Sequence, residues 1–448
     1  MWWDGKIQRM FRCRLQQKPA SLGRLLSAIG DQGGLIGEIR SVHMGGSAVD
    51  RDITVYADDL KHLGRIIRVV EATEGVQLLE VRDEVLEMHQ GGKIAIRSRY
   101  DISTLSTLRR VYTPGVAEVS LKIKDDPSLA RRFTSIRHLV AIVTDGTAVL
   151  GLGDIGPKAA MPVMEGKASL LETLTGLSGM PILLDTKDPD EIVETVAHIA
   201  PTFAAIQLED ISAPRCFAIE ERLQARLPIP VMHDDQHGTA VVVTATLLNA
   251  AKATATDLAR RSIGIVGLGA AGFALARMLM FRFGKPVLGA DIAPDALARL
   301  KAAGGLPSDL RAIMAGCDVV IATTGVPGLI KKESVRPGQI ILALSNPNPE
   351  IDPDEALAAG AAFAADGRTV NNVLGFPGIF RGAVDADVPR ITREMLMAAA
   401  DAIAGFAKPG EIVPDPLDKA LHRAVARAVA RTALLQGLNR DDLVGYFD

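Results

Sequence analysis

The chain has 448 residues and a formal net charge of −3, which allows two or three domains and leaves no basic footprint for nucleic acid. No apolar run approaches the ~20 residues of a membrane span, and the opening Met1-Trp-Trp-Asp-Gly-Lys lacks the charged-then-apolar plan of a signal peptide. Cys13, Cys216 and Cys317 are widely separated, cannot all pair within one chain and show no zinc spacing, which points to a reducing, cytoplasmic compartment.

Residues 7 to about 88 form a unit of their own. Phe11, Cys13 and Leu15 alternate with Arg12 and Arg14, the pattern of a half-buried strand. Ser21–Asp31 predicts a helix with Leu22, Leu25, Leu26 and Ile29 on one face, closed by Gly33-Gly34. Leu35–His43 and Ile53–Tyr56 are strands around the turn Gly45-Gly46-Ser47. Leu60–Glu71 is a second amphipathic helix and Val76–Val81 a last strand. The order is βαββαβ, a split βαβ unit with both helices on one face. It resembles an ACT domain, a regulatory module that binds small ligands at a paired interface. The turn Lys18-Pro19-Ala20-Ser21-Leu22 carries alanine where that family usually has glycine.

After the linker His89–Lys93 comes Tyr112-Thr-Pro-Gly-Val-Ala, in which Tyr112 precedes a rigid turn that would hold its phenol in place. Taken alone, Tyr112 reads equally well as a packing tyrosine. Val140–Val143 leads into Thr144-Asp-Gly-Thr-Ala-Val-Leu-Gly151-Leu-Gly153-Asp-Ile-Gly156-Pro157. The GxGxxG spacing here lacks the strand-to-helix context, because Thr144-Asp145-Gly146 intervenes and Pro157 follows. It reads as a glycine-rich active-site loop. Lys167, after Gly166, is placed at a helix start, where burial and the helix field would lower its pKa and make it a general base. A solvated surface lysine is the alternative.

Pro181–Asp185 and Ala204–Leu208 are strands that run into acids, the second into Glu209-Asp210. Pro228–Met232 runs into His233-Asp234-Asp235-Gln236-His237-Gly238-Thr239. Acids at the C-terminal ends of parallel strands converge in one crevice. Glu209, Asp210 and Asp235 would then form an all-oxygen site for Mg²⁺ or Mn²⁺; singly, each reads as a solvated loop acid or helix cap. His233 and His237 do not read as a zinc pair, because the helix is expected to begin only at Gly238-Thr239 and run from Ala240 toward Arg261.

Ile263–Val266 followed by Gly267-x-Gly269-x-x-Gly272 and a helix-forming run is the strand–turn–helix of a dinucleotide site. Pro286–Ala290 then ends in Asp291, about 20 residues beyond the motif, where a carboxylate binds the adenosine ribose. No Lys or Arg follows until Arg299, which favours NAD over NADP. Asp318–Gly325 and Ile340–Leu344 are further strands, the latter leading into Ser345-Asn346-Pro-Asn-Pro-Glu350. Thr369-Val370 leads into Asn371-Asn372-Val373. Asn346 and Asn372 at strand ends would face nicotinamide and substrate; Asx turns are the alternative. Arg393–Phe406 and Leu417–Gln436 are C-terminal helices.

Seven blocks in order closely resemble the bacterial small-subunit malic enzymes: Tyr112–Ala117, Thr144–Gly156, Met164–Lys167, Leu208–Ile211, His233–Thr239, Ser345–Glu350 and Val370–Pro377. The likeness runs from about residue 93 to 440. It implies an α/β chain with an ACT-like domain (1–88), a catalytic domain (93–239) and a doubly wound Rossmann-type NAD-binding domain with C-terminal helices (240–448). It implies oxidative decarboxylation of L-malate to pyruvate and CO₂. In that reading Lys167 is the base at the hydroxyl and Tyr112 the acid at C3. Glu209, Asp210 and Asp235 hold the metal, and Asp234 supports Lys167 or the metal. Asn346 and Asn372 contact substrate carboxylates, Asn346 lying beside the cofactor as well. Gly267, Gly269, Gly272 and Asp291 hold NAD, with NADP the alternative cofactor. The resemblance further implies a homodimer or larger homo-oligomer and an effector at the ACT-like domain. Larger-subunit members carry a substrate arginine where this chain has Ala148, so a backbone N–H of the Gly151–Gly156 loop is expected to replace it. Rival readings are a malolactic enzyme, an amino-acid dehydrogenase and a non-catalytic NAD and metabolite sensor.

Overall fold

The structure, a computed structural model, describes residues 6–45, 47–149, 151–368 and 370–447. Met1–Gly5, the middle of the Gly45-Gly46-Ser47 turn, Leu150 of the glycine-rich loop, Thr369 and Asp448 lie outside the described residues. The chain divides into an N-terminal unit through Lys93 and a second unit from Ile94.

The alternation at Phe11, Cys13 and Leu15 is realised in β1 (Ile7–Gln16), whose apolar side is buried. It is followed by α1 (Ser21–Asp31), β2 (Leu35–Gly45), β3 (Ala48–Ala57), α2 (Leu60–Glu71), β4 (Val76–Arg82) and α3 (Glu84–His89). The antiparallel sheet has the order β2-β3-β1-β4. Leu25, Ile29, Leu63, Ile66 and Val70 of the helices pack with Phe11, Ile53 and Val55 of the strands. Arg12 lies opposite Asp52 and Arg14 opposite Asp50, each pair joined by two hydrogen bonds of 2.7–2.8 Å. Ala20, at the N-cap of α1, has φ 64. The turn therefore keeps the left-handed geometry that a glycine would adopt freely, at a cost of about 1–2 kcal/mol.

The second unit opens with α4 (Leu105–Val111), α5 (Gly115–Asp125) and α6 (Leu129–Phe133), none of which buries a side chain. A parallel sheet follows, built from β5 (Leu139–Thr144), α7 (Pro157–Thr175), β6 (Ser178–Leu183), α8 (Pro189–Ile199), β7 (Ala205–Leu208), α9 (Arg215–Arg226) and β8 (Val231–His233), with strand order β6-β5-β7-β8. All of β5 is buried, as a central parallel strand between helices must be. α10 (Thr239–Ala253) leads onward; it is apolar on nearly every side and buried accordingly. It ends well before Arg261, short of the predicted length.

The last sheet runs through β9 (Ile263–Val266), α11 (Ala270–Phe283), β10 (Leu288–Ala290), α12 (Pro294–Ala302), β11 (Leu306–Pro307), α13 (Leu310–Gly316), β12 (Val319–Ala322), β13 (Ile340–Ala343), α14 (Pro353–Ala358) and β14 (Phe363–Asp366). Its parallel order, β11-β10-β9-β12-β13-β14, reverses between β9 and β12, the doubly wound arrangement that opens a crevice at that switch point. α15 (Phe376–Asp385), α16 (Arg393–Phe406) and α17 (Lys419–Leu435) complete the unit. One continuous core joins Met164 and Leu171 of α7, Val241 of α10, Leu275 of α11, Phe376 and Phe380 of α15 and Val425 of α17. Among the described residues, no helix is long and apolar enough to cross a membrane.

Candidate active site

Two strand ends and one helix bring the acids together. β7 stops at Leu208 and delivers Glu209 and Asp210; the adjacent β8 stops at His233 and delivers Asp234 and Asp235. Asp210 takes a left-handed φ of 54, and its N–H donates to Asp235 Oδ2 at 2.9 Å. Winding begins at Asp234, earlier than the sequence suggests, as a π turn over Asp234–Gly238 that runs into α10. Such wide turns favour functional positions because they aim successive side chains differently from an α-helix. Neither histidine acts with the other: His233 is fully buried, while His237 Nε2 bonds Glu220 at 3.0 Å.

Lys167 faces this cluster from α7. Its Nζ lies 2.5 Å from Asp234 Oδ2, 2.9 Å from Glu209 Oε1 and 4.6 Å from the centre of the Phe376 ring. Two expectations for this residue are corrected. α7 begins at Pro157, so Lys167 sits in the middle of a 19-residue helix and not at its start. Its pKa is also raised and not lowered: burial pushes it down, but Asp234, Glu209 and Asp235 outweigh burial and hold the ammonium charged. The acids pay the opposite cost. Burial, then mutual repulsion, lifts Asp210 to about 9, Asp234 to about 7 and Asp235 to about 6, and raises Glu209 as well. Four carboxyl groups and one ammonium cannot all stay ionised in so small a volume.

The geometry fits a hard divalent cation. Carboxylate oxygens of Glu209, Asp210 and Asp235 lie within 4.8 Å of one another, and Asp210 Oδ2 is buried with no hydrogen-bond partner among the described residues. An all-oxygen set suits Mg²⁺ or Mn²⁺. Asp234 stands outside the trio and is turned to Lys167.

The dinucleotide features occupy the switch point. Gly267 has φ 90, and a Cβ there would meet the Thr323 carbonyl at 2.7 Å; a Cβ on Gly272 would meet the Gly267 carbonyl at 1.9 Å. Gly269, by contrast, caps α11 with open space around it, as approach of a phosphate to the backbone requires. Asp291 follows β10; one oxygen accepts from Leu268 N–H at 2.6 Å and the other from Ala293 N–H at 2.8 Å.

Asn372 reaches the Asp234–Gly238 turn: its Cβ lies 3.6 Å from where a Cβ on Gly238 would stand. Asn346 follows β13, with its carbonyl toward Gly151 of the glycine-rich loop. Within that loop the N–H groups of Leu152, Gly153, Ile155 and Gly156 all donate to loop carbonyls, and Ala148 N–H donates to Asp210 O. Those four are therefore spent and do not stand in for the missing arginine. Tyr112 is not drawn into the cluster. It ends α4 with 66% of its surface exposed, and no described hydrogen bond ties it to Lys167 or the acids.

Three contributors escaped sequence reasoning. Gln207 donates to Glu209 at 2.7 Å from β7, the strand that delivers it. Glu350, fully buried, accepts from Thr324 N–H at 2.7 Å and Ser345 Oγ at 2.5 Å, fixing the ends of β12 and β13. Phe376 lies under the lysine; it belongs to a motif quoted for its asparagines alone.

Comparisons agree with this geometry. The malic enzyme N-terminal domain matches residues 93–224, and the malic enzyme NAD binding domain matches residues 310–434. The NAD-dependent malic enzyme 1 of Bacillus subtilis strain 168 is 55% identical over 93% of this chain and 95% of its own. The NAD-dependent malic enzyme of Geobacillus stearothermophilus is 43% identical over 96% of this chain and 95% of its own. The crystal structure of malic enzyme from Pyrococcus horikoshii superposes with a TM-score of 0.77 at 38% identity, covering 81% of this chain and 92% of that one. A buried lysine among strand-end acids, a doubly wound dinucleotide crevice and relatives matched over nearly their whole length lead to one conclusion: the chain belongs to the malic enzyme family.

Proposed function

We propose that the chain catalyses oxidative decarboxylation of L-malate to pyruvate and CO₂ with reduction of NAD⁺, dependent on Mg²⁺ or Mn²⁺. The observation that carries this is Lys167, buried against Asp234 and Glu209 beside the three-carboxylate cage. When bound, the divalent cation supplies stabilisation of negative charge developing on the substrate's C2 oxygen. Lys167 takes the C2 hydroxyl proton, and Asp234 holds its amine in place. The family resemblance assigns Tyr112 the return of a proton at C3, since deprotonation and reprotonation occur at different atoms; in the single chain it stands exposed, outside the cluster. Asn346 and Asn372 bind the carboxylates, with Asn346 also beside the cofactor. Gly267, Gly269 and Gly272 shape the pyrophosphate turn, and Asp291 takes the adenosine ribose.

Asp291 supports NAD over NADP, since its carboxylate disfavours a 2′-phosphate, and Arg299 is the next cation in the sequence. Its guanidinium lies 4.5 Å from the Phe217 ring centre and 5.1 Å from that of Phe273, and donates to Leu268 O. The next cation after Asp291 in sequence is thus tied to Leu268, inside the glycine turn, and the NAD reading rests on Asp291. With Mn²⁺ and L-malate, equal amounts of pyruvate and NADH are expected, with NAD⁺ preferred to NADP⁺ by on the order of tenfold or more, about 1.4 kcal/mol in transition-state binding. Lactate without free NADH would move the chain to malolactic chemistry. Absence of product with either cofactor would favour a sensor.

The family matches accompany a division into a catalytic domain of residues 93–239 and an NAD-binding domain of residues 240–448. The buried free cysteines suit a cytoplasmic setting. The homodimer reading draws on α4–α6, where Leu105, Leu108, Tyr112 and Leu121 are exposed on helices that bury nothing. Such a surface marks an interaction site.

Residues 1–88 form, in this reading, an ACT-like effector domain. A cavity of about 620 Å³ lined by Arg14, Lys18, Ser47 and Gly75 offers the Lys18 ammonium to a small acid or amino acid, Arg14 being paired with Asp50. Removing residues 1–88 is expected to leave turnover within about threefold, as for a separately folding unit, and to abolish responses to a panel of amino acids and organic acids. An unchanged response in the shortened chain would end the regulatory reading.

A further inference from the structure

A carboxylate outside the acid cluster holds the turn that carries Asp234 and Asp235. Glu220 lies on α9 and is buried. Its Oε1 accepts the His233 N–H at 2.8 Å, and its Oε2 accepts from the Gln236 amide at 3.1 Å and meets His237 Nε2 at 3.0 Å. A carboxylate at that distance is an acceptor, so the His237 nitrogen is the donor. One tie falls immediately before Asp234 and two immediately after Asp235. The π turn starts between them and carries the last two, so its angles decide where both acids point. The neighbouring Glu221 is exposed, so α9 turns only Glu220 inward.

We infer that Glu220 is a positioning residue for the metal site, holding the His233–His237 turn so that Asp235 meets Glu209 and Asp210. Burying a carboxylate is costly, and an apolar residue would pack the same space without that cost. Three donors from one five-residue segment converge on it, and only a carboxylate has acceptor capacity for all three. Residues that orient ligands in this way govern metal affinity, although they never touch the ion. The inference rests on the metal reading given above.

The test measures Mn²⁺ binding by the electron paramagnetic resonance signal of free Mn²⁺, and NAD⁺ binding by fluorescence, on the full chain. In Glu220→Gln one oxygen becomes an amide donor aimed at other donors. Mn²⁺ is expected to bind on the order of tenfold or more weakly, with the NAD⁺ dissociation constant unchanged. Gln236→Met removes a single tie and is expected to weaken Mn²⁺ in the same direction by less. A generally loosened fold would weaken both ligands together. If the wild type binds Mn²⁺ and both variants bind it equally well, the positioning role is overturned. If Glu220→Gln also loses NAD⁺ binding, Gln236→Met decides: weaker Mn²⁺ supports the role and unchanged Mn²⁺ rejects it. Failure of the wild type to bind Mn²⁺ would end the metal reading and this inference with it.

Discussion

Lys167→Ala is expected to lower turnover of L-malate by on the order of 10²–10⁴-fold, the range of a lost general base, while NAD⁺ binding stays as in the wild type. The separation follows from the layout. Lys167 belongs to α7 and faces the ends of β7 and β8, whereas Gly267, Gly269, Gly272 and Asp291 belong to the β9–β10 crevice. The variant has a second signature. In the cation-free protein the ammonium is the counter-ion of Asp234, Glu209 and Asp235, so its removal leaves buried carboxylates unpaired, a change costing about 3–5 kcal/mol where the groups cannot protonate. Thermal unfolding in EDTA at pH 8 is therefore expected to shift downward, and added Mn²⁺ to recover much of the loss. When a cation neutralises the acids, the field holding Lys167 protonated falls. Burial remains, and burial favours the neutral amine a base requires. Turnover within tenfold of wild type would remove Lys167 from the mechanism.

What the sequence could reveal was set by how local each signal is. The strand–turn–helix around Gly267, Gly269 and Gly272 and the strand end at Asp291 were legible because they lie within about 30 residues, and the fold shows the expected close approaches at Gly267 and Gly272. The convergence of Glu209, Asp210 and Asp235 was legible as a topological argument: acids ending neighbouring parallel strands share one end of the sheet. The βαββαβ unit was legible through two clean periodicities. Lys167 was found but misplaced, because Gly166 looked like a boundary while Gly156-Pro157 was the real start of a helix that carries Pro162 and Gly166 inside it. Its pKa direction was misjudged because the opposing acids come from elements 42 to 68 residues away, which no local pattern displays. Glu220 did leave a trace. Cys216, Ile219, Glu220 and Leu223 share the buried face of α9 at spacings of a helical stripe, and an acid on an apolar stripe asks for a partner. The exposed α4–α6 segment left none, since its apolar residues face solvent in the single chain.

Asp235→Asn is expected to lower activity by on the order of 10³-fold, the several kcal/mol that metal ligation contributes, and yet to leave the cation-free protein at least as stable as the wild type. The asparagine oxygen can still accept from Asp210 N–H, so the local hydrogen bond survives. What disappears is a charge that burial and Asp234 disfavour, and that itself lifts Asp210. Asp210, Asp234 and Asp235 all have folded pKa values above that of an unfolded carboxyl. Their contribution to stability is therefore fully present below about pH 4 and is lost as pH rises through about 6 for Asp235, about 7 for Asp234 and about 9 for Asp210. Lys167 does not titrate in that window. In EDTA the wild type should lose melting temperature between pH 5 and pH 9, and Asp235→Asn should lose less over the same range. Mn²⁺ should raise the wild-type melting temperature by several degrees or about 2–4 kcal/mol at saturating concentration, most strongly at high pH where the carboxylates are ionised. It should do little for the variant. An Asp235→Asn protein that melts below the wild type in EDTA at every pH would show that the acids are not in mutual conflict. The site would then be a settled ion-pair network and not a cage waiting for a cation.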